Sequence, residues 1–140
     1  MTPIRILLVE DYLPDVRLTQ KAFKRASVPN VLYTAIDGVE AMEFLRKEGR
    51  SVGVETPDFV LLDLNMPRKD GRAVLQEMRA DDTLRHIPVI MLTTSKLDLD
   101  ILESYRLGAN AYVVKPVSFE SFQGAVATIE NFWMATATLP

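Results

Sequence analysis

Five side chains able to do chemistry together follow apolar runs at four separated points of the chain. Glu10 and Asp11 follow residues 4–9, Asp63 follows 59–62, Thr93 follows 87–92, and Lys115 follows 111–114. Oxygen donors without His or Cys suit a hard cation such as Mg²⁺, which takes a few carboxylates, several waters and often a phosphate oxygen. Carboxylates held close together repel, and each raises its neighbours' pKa unless a cation intervenes. A carboxylate is also a nucleophile that can become an acyl phosphate. A bound cation and Lys115 would then neutralise charge on a transferring phosphoryl group, and the Thr93 hydroxyl would donate to one of its oxygens. On this reading Asp63 is the phosphate acceptor.

Each residue alone has an ordinary explanation. Glu10 and Asp11 could cap a helix, Thr93 could sit in a turn, Lys115 could end a strand, and Asp63 could be a structural carboxylate. For the chemistry to be absent, all of these must hold at once, in order, at four strand ends.

The elements that would bring these residues together are legible in the hydrophobic pattern. Residues 4–9 are β-branched and apolar on both faces, as in a strand covered on both sides. Leu18, Ala22, Phe23 and Ala26 recur at helical spacing over 14–26, with Pro14 suited to a first turn. Residues 31–36 read as a second strand. Asp37 and Glu40 resemble a capping box for a helix running to about 47, and 49–57 is a loop. Residues 58–63 form the third strand and 73–79 a helix with Val74, Leu75 and Met78 inward. Residues 87–92 form the fourth strand. The helix over 98–107 carries Ile101, Leu102 and Tyr105 and is closed by Gly108. Residues 111–114 form the fifth strand. Phe119, Phe122, Val126, Ile129 and Trp133 then step by three and four along a last helix. Five strands alternating with five helices predict an α/β, doubly wound (βα)5 fold, with a flavodoxin-like five-stranded parallel sheet and helices on both faces. In such a sheet the carboxyl ends of the strands share one edge, where ligands bind.

Composition limits the alternatives. The 140 residues fit one domain. With 16 basic and 19 acidic side chains the net charge is −3, which gives no electrostatic case for nucleic acid or an anionic membrane. There is no cysteine, which excludes disulfides and thiol chemistry, and His86 is the only histidine, which nearly excludes a zinc site. No apolar run approaches the roughly 18 residues of a membrane span, and the first residues do not form a signal peptide. The expectation is a cytoplasmic protein.

Across nearly the whole chain the blocks "LLVEDYLPDVRL", "LLDLNMPRKDG", "VIMLTTS" and "YVVKP" resemble the receiver domain of two-component response regulators. The resemblance implies one receiver domain over 1–140, with an extended C-terminal helix and short tail from about 118. It implies phosphotransfer from a histidine kinase to Asp63, with no further enzymatic activity. Asp11 and Asp63 would hold Mg²⁺ (Mn²⁺ or Ca²⁺ could substitute), together with the Asn65 main-chain carbonyl and, through water, Glu10. Lys115 and Thr93 would contact the phosphoryl group, and Thr93 with Tyr112 would form the switch. The Lys115–Pro116 bond is expected to be cis. Val117 departs from the Phe that many family members carry there. "TTS" and the ending "IENFWMATATLP" are similar to single-domain regulators that partner bacterial and cyanobacterial phytochromes, which implies a phytochrome-linked kinase and a homodimer.

The expected output surface is the face of helix 4, strand 5 and helix 5, or the C-terminal helix, where Phe132, Trp133 and Met134 are either folded back onto the body or interface candidates. A phosphohydrolase of the haloacid-dehalogenase type would need a D-x-D motif after the first strand, which here ends Glu10-Asp11-Tyr12. A flavodoxin-like cofactor binder would need a Ser/Thr/Gly phosphate loop there. The remaining alternative is a pseudo-receiver that docks without being phosphorylated; it would lack part of the acidic pocket.

Overall fold

The computed structural model describes residues 2–140. Its elements are β1 (Ile4–Val9), α1 (Leu13–Lys24), β2 (Asn30–Ala35), α2 (Gly38–Leu45), β3 (Phe59–Leu62), α3 (Gly71–Ala80), β4 (Val89–Thr93), α4 (Asp98–Arg106), β5 (Ala111–Val114) and α5 (Phe119–Ile129). A short 3₁₀ turn at Gly49–Ser51 interrupts the long loop, and a π-helical segment, Glu130–Thr136, continues α5. All strand pairs are parallel, in the order β2-β1-β3-β4-β5. The (βα)5 expectation holds.

Strand residues alternate between two apolar layers. Leu7, Val9, Val60, Leu62, Val89 and Met91 face α2 and α3, meeting Met42, Leu45, Val74, Leu75 and Met78. Ile6, Leu8, Phe59, Leu61, Ile90 and Leu92 face α1 and α5, meeting Phe23, Phe122, Val126 and Ile129. The period of two is hidden in the sequence because both faces are apolar.

Local chemistry sets the boundaries. α3 begins at Gly71, two residues before the expected start, because the Asp70 carboxylate caps it by accepting from Ala73 N at 3.0 Å. Asp37 caps α2 through Glu40 N at 2.9 Å. β4 begins at Val89 instead of residue 87, since Pro88 has no N–H to give a ladder. Among the described residues there is no cis peptide bond, so Lys115–Pro116 is trans, contrary to expectation. Trans is the preferred state of an X–Pro bond. The next side chain, Val117, is fully exposed and makes no packing demand for the other isomer.

The last helix departs most from expectation. Beyond Ile129 its backbone winds with i→i+5 bonds, such as Ala137 N to Phe132 O at 2.6 Å. The wider turn rotates Met134 into the inward position that α-helical spacing gives to Trp133. Met134 is buried, Trp133 is half-buried with its ring 6.4 Å from that of Phe59, and Phe132 is exposed. As an interface candidate Met134 is therefore corrected: it is covered by its own chain. No helix among the described residues is long and apolar enough to cross a membrane.

Candidate phosphoacceptor site

Main-chain hydrogen bonds carry the sheet one residue past the strands and fix the site. Asp63 N donates to Val9 O (3.1 Å), Lys115 N to Thr93 O (2.7 Å) and Glu10 N to Ala35 O (2.9 Å). Glu10, Asp63, Thr93 and Lys115 thus stand on adjacent strand ends at one edge, as expected. Gly71 allows the β3–α3 loop to fold back over them: its N–H donates to Leu64 O at 2.8 Å, and a Cβ there would collide with the Asp63 carbonyl.

Glu10 is buried. One of its oxygens accepts from Lys115 Nζ, and the other from the N–H groups of Asp11 (3.0 Å) and Tyr12 (3.4 Å). Lys115 is also buried; its ammonium reaches Asp15 Oδ2 at 3.0 Å and Asp63 Oδ2 at 3.6 Å. Burial pulls the Lys115 ammonium down to about 8. The surrounding carboxylates favour its charged form, and it is a cation at neutral pH.

Burial also raises the Asp63 carboxyl above the usual range, and the charge of Asp11 adds to this. The Thr93 hydroxyl and the Leu64 and Asn65 N–H groups donate to it and work against the rise without cancelling it. Leu64 N lies 2.8 Å from Asp63 Oδ1.

Asp15 is the site residue that sequence reasoning missed. An acidic residue in a first helical turn reads as a favourable partner of the helix dipole. The available signal was its spacing, one helical turn after Asp11. Burial raises its carboxyl, with a contribution from Asp63.

Carboxylate oxygens of Glu10, Asp11 and Asp63 lie within 4.8 Å of one another. This all-oxygen set fits a hard divalent cation. With both Glu10 oxygens engaged, Asp11 and Asp63 offer the freer ligand atoms. A cleft of about 440 Å³ opens between Tyr12, Asp63, Lys115 and Val117. Thr93 is fully buried. Tyr112 packs against the α2–α3 core layer, and its hydroxyl donates to Ser95 O at 3.0 Å.

Residues 6–127 match the response regulator receiver domain family. The chain belongs to that family. This receiver is 42% identical over 138 residues to the response regulator Rcp1 of Synechocystis sp., covering 99% of this chain and 94% of that protein. It superposes with a TM-score of 0.96 on the phosphorylated cyanobacterial phytochrome response regulator RcpA, at 46% identity and 99% coverage of both chains. With the Mn²⁺-bound form of Rcp1 the TM-score is 0.94, at 42% identity and again 99% coverage of both. The receiver is thus related to phytochrome response regulators, as the resemblance implied, and one of the related structures is of a Mn²⁺-bound form.

Proposed function

We propose that this receiver accepts a phosphoryl group on Asp63 from the phosphohistidine of a histidine kinase. The observation that carries the proposal is the convergence of Asp63 with Asp11, Lys115 and Thr93 at one sheet edge. An Asp63 carboxylate oxygen attacks phosphorus, forming a P–O bond. The P–N bond to the donor imidazole breaks, and its electron pair stays on nitrogen. Lys115 faces the Asp63 carboxylate and offsets the added negative charge. The Thr93 hydroxyl donates to a phosphoryl oxygen. Asp11, Asp63 and the Asn65 main-chain carbonyl would hold Mg²⁺, with Glu10 behind them through water; when bound, the ion neutralises charge on the transferring group. Tyr112, packed inward with its hydroxyl on Ser95 O, reads the change.

The name of the relative RcpA, a phytochrome response regulator, supports a phytochrome-type kinase as donor; a homodimer is our reading of the output form. For the dimer we assign the face of α4, β5 and α5, where Leu97, Leu99, Leu102, Tyr105 and Phe119 are exposed.

The test is incubation with Mg²⁺ and acetyl phosphate, read by intact mass. A phosphoryl adduct that needs Mg²⁺ and is lost in Asp63→Asn is the expected result. Mg²⁺ binding without any adduct would instead favour a receiver that docks without phosphorylation.

A further inference from the structure

The β4–α4 connection gathers an unusual number of polar contacts on Ser95, two residues beyond Thr93. Its N–H points at the Thr93 hydroxyl at 3.5 Å, and its carbonyl accepts from the Tyr112 hydroxyl at 3.0 Å. Its own hydroxyl donates to Asp100 Oδ2 at 2.5 Å and accepts from Leu97 N at 3.3 Å. Asp100 lies in the first turn of α4, and its other oxygen receives Arg72 Nη2 of α3 at 2.5 Å. Arg72 reaches Glu103, further along α4, at 3.3 Å. Ser104 is the only buried residue of α4. Polar contacts therefore take over much of the hold that an apolar face gives the other helices.

We propose that Arg72 and Asp100 form a latch on Ser95 that couples α4 to the phosphoacceptor pocket and holds the Thr93–Tyr112 pair in the arrangement a phosphoryl group needs. This rests on the phosphoacceptor reading of Asp63. In this structure the fully buried Thr93 hydroxyl is met by the Ser95 N–H at the strand end beside Asp63, and Tyr112 is already packed inward. Both contacts pass through Ser95: its N–H meets Thr93 and its carbonyl meets Tyr112. A group that fixes the Ser95 side chain thereby biases both. Asp100 is suited to this because its hydrogen bonds to Ser95 and Arg72 are charge-assisted. The Ser95 hydroxyl, and then Arg72, keep its carboxyl below the usual range. By linkage, contacts made only in the competent arrangement tighten binding of a phosphoryl mimic, and their loss weakens it by the same factor.

The experiment is a calorimetric titration of the full chain with beryllofluoride in saturating Mg²⁺. Asp100→Asn and Arg72→Gln are expected to weaken beryllofluoride binding about fivefold, with partial recovery in Arg72→Lys. Mg²⁺ affinity measured alone stays at the wild-type value. In a Tyr112→Phe background the Asp100→Asn effect shrinks, because both act through Ser95. Should Asp100→Asn fail to fold, Ser95→Ala opens the same latch from its other end, with the same weakening expected. Wild-type beryllofluoride affinity in these variants, whatever their melting temperatures, would overturn the latch alone and leave a brace. A wild type that binds no more beryllofluoride than Asp63→Asn would overturn the acceptor reading, and the latch with it.

Discussion

Asp63 is held at a cost to the fold. Burial disfavours its charge, and Asp11 adds repulsion; the donors around it compensate only in part. The sign of the stability effect follows from linkage. With its pKa raised in the folded state, Asp63 keeps a proton that the unfolded chain has already released over the window just above about pH 4. Stability therefore falls as pH rises through that window and stays lower above it. Removing the charge should help: Asp63→Asn, without divalent cation, is expected to raise Tm at pH 7 by about 2–4 °C, equivalent to about 1 kcal/mol in a chain of this size. The gain should vanish well below about pH 4, where the carboxyl is protonated in the folded and the unfolded chain alike. Mg²⁺ should stabilise the wild type and do little for the variant. Melting curves across pH with and without Mg²⁺ check this, and a Tm that drops in Asp63→Asn at pH 7 would contradict it. At this scale the sequence was largely legible, since a carboxylate ending an apolar run is anomalous by itself. Asp15 escaped because its environment, and not its type or local pattern, makes it unusual: Lys115 arrives from 100 residues away in the chain.

Elements place these residues through backbone contact as much as through side chains. The turn after β3 brings α3 against the Asp63 peptide so closely that position 71 must lack a Cβ. Gly38 plays the same part at the start of α2, where its N–H donates to Lys69 O at 2.9 Å and a Cβ would strike that carbonyl. Both obstacles are main-chain atoms, so relief requires moving a loop. Gly71→Ala is expected to cost about 2–3 kcal/mol in chemical denaturation and to weaken Mg²⁺ binding, because the displaced segment carries Asp63. An unchanged denaturation midpoint would show that the loop yields more easily than its hydrogen bonds suggest. Strands and helices were readable because apolar runs and caps are local signals. The π-helical segment was not: Ile129 and Trp133 have ideal α-helical spacing, and only the packing of Met134 against the α1–α5 layer reveals the change of phase. The trans Lys115–Pro116 bond was unreadable for a related reason, since its two isomers differ by only about 0.5–1 kcal/mol.

For the whole molecule, two surfaces compete as the proposed dimer contact, and exposure of apolar side chains separates them. The C-terminal segment turns Met134 into its own core and leaves Phe132 as its one large exposed apolar group, 53% accessible. On and beside α4, Leu97 (66%), Leu99 (68%), Leu102 (48%) and Tyr105 (48%) are exposed together. A stable contact needs about 800 Å² from each partner with an apolar centre, and a cluster supplies this where a single ring does not. The same helix is held to the pocket through Asp100, so its position would report the state of Asp63. Leu102→Arg is therefore expected to convert the dimer to monomer in light scattering, raising the dissociation constant by at least about tenfold, while Phe132→Arg leaves the dimer in place. Neither change touches the acidic pocket, so both variants should still take up acetyl phosphate. Dissociation by Phe132→Arg with Leu102→Arg still dimeric would move the interface to the C-terminal helix, and α4 would then read phosphorylation for some partner other than a second copy.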